Sequence, residues 1–151
     1  MINYPSEKCV LFPEQYRLIW KFSWLSLFSI YYAYTYTFPK NHYLFVIPST
    51  ICLTSLNYWR YPVSNSMRRY LDIICVLFGI AYQVYYANTY LLLEYRQMYC
   101  TLLSISLLFY PLSRFCHVLN LLWVSTYLHC ALHVFGNISN IFLYSHLMDI
   151  Y

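Results

Sequence analysis

Phe115 to Met148 reads FCHVLNLLWVSTYLHCALHVFGNISNIFLYSHLM, 34 residues without one Lys, Arg, Asp or Glu. Inside it stand His129 and His133, separated by Cys-Ala-Leu. A stretch this apolar belongs in lipid, where ionisable side chains are costly enough to be functional candidates by default. The run therefore argues first for a membrane protein, and second for a polar site within it.

Composition supports the first inference independently. Charged residues make up 9% of the chain and hydrophobic ones 61%, with a mean hydropathy of +0.46. Soluble domains carry roughly one-quarter charged residues, so this chain lacks the means to cover a water-facing surface. Its 151 residues hold four or five spans of about 20 residues and little else, which predicts an all-α, polytopic transmembrane bundle in one domain. Aromatic residues make up 23% of the chain, 20 of them tyrosines; many lie near segment ends, where amphipathic rings suit the headgroup region, and others are expected inside the bundle. Six cysteines are scattered singly, without a CxxC pair, and read as small packing residues. Net charge is +4, drawn from short loops; in such a chain it reports orientation and not nucleic-acid binding. Glu7 and Glu14 precede the first apolar run and no small-residue cleavage site follows it, so that run reads as a retained helix.

Five spans are expected, at 18–38, 43–59, 70–93, 98–112 and 125–147. Pro39-Lys40-Asn41 closes the first, Pro48 is a candidate kink in the second, and Glu94-Tyr95-Arg96 ends the third. The fourth is short and is expected to stop at Pro111, with Phe115 to Trp123 lying at the interface. This arrangement puts Lys8, Arg17, Lys21, Arg60, Arg68, Arg69 and Arg114 on one side, against Lys40 and Arg96 on the other. The imbalance predicts a cytoplasmic N-terminus and a C-terminus outside or in a lumen.

Polar residues recur on single helix faces. His129, His133, Asn137, Asn140 and Tyr144 form a stripe on the last span; Asp72, Gly79, Gln83 and Tyr86 form one on the third; Thr50, Thr54 and Tyr58 make a shorter line on the second. Both glycines, Gly79 and Gly136, lie on or beside these stripes, where a missing side chain lets helices approach closely. Asp72, Tyr58, His129 and His133 all enter from the basic end at similar depth, so a site opening towards the cytoplasmic interface is geometrically accessible.

The ordered set Thr54-Ser55-Leu56-Asn57-Tyr58-Trp59, Arg68-Arg69 followed by Asp72, and His129-x-x-Leu-His133 resembles the superfamily of alkaline ceramidases and progestin/adiponectin receptors. The resemblance implies a zinc site and hydrolysis of a lipid amide or ester. His129 and His133 would hold Zn²⁺, Asp72 would handle the proton, and Thr54 or Ser55 would steady the oxyanion. Two departures accompany it. The family has seven helices against the five expected here, and the position of its third histidine reads Asn57-Tyr58-Trp59. Tyr58 is the available substitute, yet a neutral tyrosine is a poor ligand, and a catalytic zinc normally takes three protein ligands plus water.

Other readings stand beside this one. The His, Asp and Asn stripes equally describe polar contacts that pack helices in a non-catalytic binding or assembly protein. Asp72, near Arg68 and Arg69, also reads as an ion-paired cap at a helix start. The arginines between 60 and 69 are suited to anionic headgroups. Haem ligation is disfavoured because His129 and His133 share one helix face. Asn137-Ile138-Ser139 matches a glycosylation sequon but falls inside a span.

Overall fold

The structure, a computed structural model, describes residues 9–37 and 44–147. Those residues are all-α, the class expected from the sequence. They form α1 (Pro13–Ser23), α2 (Ser26–Thr37), α3 (Val46–Trp59), α4 (Met67–Tyr90), α5 (Leu93–Val118) and α6 (Leu122–His146). Lys8, the Pro39-Lys40-Asn41 closure, His42 and the start of the second span at Tyr43 lie outside the described residues.

α1 and α2 are two parts of one broken rod. Trp24 and Leu25 between them donate backbone bonds three residues back, to Lys21 and Phe22, and both parts pack against α3 and α6. Local chemistry sets the helix starts. Pro13 occupies the first position of α1, and the Gln15 side chain accepts the Phe12 N–H at 3.2 Å. Ser66 caps α4, its hydroxyl accepting the Arg69 N–H at 3.3 Å. Asp72 is therefore not the cap of this helix; it sits more than one turn inside, and among the described residues it makes no ion pair with arginine.

The fourth segment differs most from its expectation. α5 does not stop at Pro111 but spans 26 residues in all, running through the proline to Val118, so Phe115 to Val118 continue the helix instead of lying apart. Pro111 removes one backbone donor, a loss a helix can absorb when a neighbouring helix holds the chain in place. Here Ser113, two residues on, donates to the Ser125 carbonyl of α6 at 2.9 Å, and α5 and α6 share the most extensive helix interface. The helix ends where Asn120 adopts a left-handed φ of 59°. The Leu121 N–H then bonds Cys116 O and the Asn120 N–H bonds His117 O, the paired bonds of a Schellman stop.

α6 is the hub, packed by α5, α2 and α1, while α4 leans mainly on α3. Gly79 makes that lean possible, since a Cβ there would sit 2.6 Å from Ile51 Cδ1 and 3.1 Å from Ile47 Cγ2. Gly136 brings α6 close to Ser106 of α5 in the same way, at 3.2 Å. The apolar core divides into two clusters. One holds Tyr86, Leu91, Tyr99, Leu103, Leu143 and Tyr144; the other holds Leu11, Ile19, Tyr58, Trp59 and Cys130. α4 and α5 are long and apolar enough to cross a membrane, by length and composition.

Candidate functional site at the basic end of the bundle

The second apolar cluster adjoins a partly open cavity of about 80 Å³. Six pieces of chain meet there: the segment before α1 (Val10, Leu11), α1 itself (Ile19), the end of α3 (Tyr58, Trp59), the start of α4 (Arg69, Asp72), the end of α5 (Tyr110, Arg114) and the start of α6 (Ser125, His129). Alternating helix directions bring these ends together. The leading segment is tied down by a bridge between Cys9 and Val63, and His117 Nε2 lies 3.2 Å from Val10 O.

Three of the expected site residues meet at Asp72, which lines this cavity, whereas Ser55 lines the next one. Ser55 Oγ donates to Asp72 Oδ1 at 2.6 Å, and Thr54 Oγ1 lies 3.1 Å from the same oxygen. The Thr54 hydroxyl is also 3.1 Å from the carbonyls of Thr50 and Ile51, so its one proton is shared with its own helix. Asp72 Oδ2 has no hydrogen-bond partner among the described residues. Tyr58 is 6% exposed and packs edge-on against Trp59, with ring centroids 4.9 Å apart.

The two histidines are placed differently from each other. His129 lines the same cavity as Asp72 and tilts against Trp59, with ring centroids 4.6 Å apart. His133 lines a second cavity of about 110 Å³ further along the bundle, together with Ser55, Gln83, Asn137 and Asn140. Its Nε2 is 3.4 Å from Ser23 Oγ of α1. The His129 and His133 rings meet edge to face at 5.3 Å. Asn137 is buried; its Oδ1 accepts from Ser29 Oγ of α2 at 2.5 Å, and its Nδ2 donates to His133 O at 2.7 Å. Tyr144 Oη accepts from Gln83 Nε2 of α4 at 2.8 Å.

A zinc ion asks for three side-chain donors converging within about 2.0–2.3 Å of one point. Among the described residues no group of three or more His, Cys, Asp or Glu side chains is placed to hold a metal. His129 and His133 form a pair without Asp72 as third member, and Asp72 is engaged with Ser55 and Thr54. The residues present do not fit the zinc centre that the family resemblance implies.

Partners missed by the sequence reading lie on α1 and α2. Ser23, Ser26, Ser29, Ala33 and Thr37 are all buried, and their spacing of three or four residues is a legible small-residue face. Tyr110 and Arg114 were masked by the expected break at Pro111. Thr50, assigned to an inward line, is instead exposed. Comparison of the chain with known protein families, with curated proteins and with solved structures found no match.

Proposed function

We propose that this is a multi-pass integral membrane protein of non-catalytic type, with a binding or assembly role, whose His, Asp and Asn stripes hold its helices together. One observation carries the reading. Along α6, His129, His133, Asn137 and Tyr144 engage Trp59, Ser23, Ser29 and Gln83 respectively, on α3, α1, α2 and α4. Residues held in this way are consumed by packing, the usual employment of polar groups between helices in lipid. The outward surface supports the membrane setting. Met67, Leu71, Ile74, Leu77, Phe78 and Tyr85 are exposed along α4 at helical spacing, a contiguous apolar face that suits lipid. The basic residues gathered at one end support a cytoplasmic N-terminus.

Alkaline carbonate extraction of membranes expressing the full chain tests the setting, and the expected result is retention in the pellet. Elemental analysis of the purified protein tests the non-catalytic reading. Folded protein without stoichiometric zinc is the expected outcome. Zinc near one per chain, lost in His129→Ala/His133→Ala, would overturn it.

A second reading, a divergent zinc-dependent lipid amide or ester hydrolase, draws on the convergence of Asp72, Ser55 and Thr54 beside the cavity that His129 lines. It requires a third metal ligand, and the donor set lacks one.

A further inference from the structure

The cavity at the basic end holds an excess of hydrogen-bond donors that the fold does not use. Arg114 is exposed at its mouth and makes no hydrogen bond or ion pair among the described residues. Arg69 spends one guanidinium nitrogen on Ser64 O at 2.7 Å and keeps the rest free. The hydroxyls of Tyr58 and Tyr110 have no hydrogen-bond partner among the described residues, and both residues line the cavity. These four residues and Asp72 line the same cavity. Arg68, by contrast, is turned away onto Tyr61 O at 3.1 Å.

Two guanidinium groups against one carboxylate leave the lining with one net positive charge. The carboxylate is partly occupied, since Ser55 and Thr54 both approach its Oδ1. The space, about 80 Å³, is several times the ~10–15 Å³ that a single water needs and suits a tetrahedral oxyanion, whereas an acyl chain would stay outside. Guanidinium forks match phosphate oxygens in a paired geometry, and phenolic hydroxyls complete such a shell. From this convergence of unused donors in one charged cavity, we infer that Arg69, Arg114, Tyr58 and Tyr110 form a binding site for a singly charged phosphate group.

The inference rests on the reading of the chain as a membrane-embedded binding protein, and it names the ligand chemistry of that protein. The phosphate has two possible sources, a lipid headgroup and soluble phosphate. Asp72 acts as a tuning neighbour: its charge opposes the ligand, so Asp72→Asn, which preserves an acceptor for Ser55, is expected to tighten binding.

The test uses full-length protein in detergent, probed with phosphatidylglycerol by native mass spectrometry and with inorganic phosphate by calorimetry. Arg114→Gln is the central variant because its side chain supports no internal bond; Arg69→Gln is the second, and Arg96→Gln is the control. Thermal unfolding verifies that each is folded. Weakening of about tenfold in Arg114→Gln, with Arg96→Gln unchanged, is the expected result. Response to the lipid alone assigns a headgroup site; response to both probes assigns a general phosphate site. Equal retention by wild type and Arg114→Gln, or no binding of either probe by folded wild type, would overturn the proposal. Carbonate extraction separates the two inferences: a protein that stays in the membrane pellet and binds neither probe loses only the phosphate site.

Discussion

Ser55 of α3 donates to Asp72 of α4 across 2.6 Å, and this bond fixes the only carboxylate among the described residues that lines the basic-end cavity. Thr54 approaches the same oxygen but shares its proton with two carbonyls of its own helix. The two hydroxyls are therefore unequal. Ser55→Ala is expected to destabilise the protein by about 1–3 kcal/mol, because it strips a partly buried carboxylate of its best donor. Thr54→Ala should cost less. Chemical or thermal unfolding in detergent gives the ranking; a larger loss for Thr54→Ala would contradict the assignment.

The Gln83–Tyr144 bond joins α4 to the hub helix where the two share little other contact. Interhelical hydrogen bonds in membrane proteins average about 0.6 kcal/mol and reach about 1.7. A double-mutant cycle with Gln83→Leu and Tyr144→Phe should give a favourable coupling of about 0.5–1.5 kcal/mol. Strict additivity of the two losses would show that the bond does not hold α4 in place.

Tyr99 presents the reverse case. Its side chain is fully buried and its hydroxyl has no partner among the described residues. Removing an unpaired buried hydroxyl while keeping the ring relieves a desolvation cost, so Tyr99→Phe is expected to leave stability unchanged or raise it by about 1 kcal/mol. A clear fall in unfolding temperature would mean that the hydroxyl is bonded in the folded protein.

Asn120 carries the turn between α5 and α6 in the left-handed region. Glycine adopts that conformation freely and β-branched residues strongly resist it. Asn120→Gly should be tolerated, whereas Asn120→Val should cost about 1–2 kcal/mol, and the comparison by thermal unfolding isolates the backbone effect. Equal stability of the two variants would remove this turn as the reason that α5 ends at Val118.

The sequence by itself determined the all-α class, because scarcity of charge and long apolar runs leave the backbone few ways to satisfy its hydrogen bonds other than within helices. It also determined the polar face of α6, since a stripe at intervals of three and four residues follows from helix geometry whatever the neighbours are. The grouping of Asp72 with Thr54 and Ser55 followed only from the family resemblance, and it is the pairing of α3 with α4 that brings the three side chains together. The end of α5 was not legible in the sequence. Pro111 is a local signal for a break, and it was overruled by packing on α6 and by the Ser113–Ser125 bond, neither of which is encoded locally. The pairing of His129 with Trp59, of His133 with Ser23 and of Asn137 with Ser29 also required the tertiary structure, because these partners are brought together only when α1, α2 and α3 close around α6. The same closure separated His133 from Asp72 into different cavities, so residues that look like one ligand set along the chain are divided between two places in the fold. Spacing fixes which side chains share a face; only the packed bundle decides which of them meet.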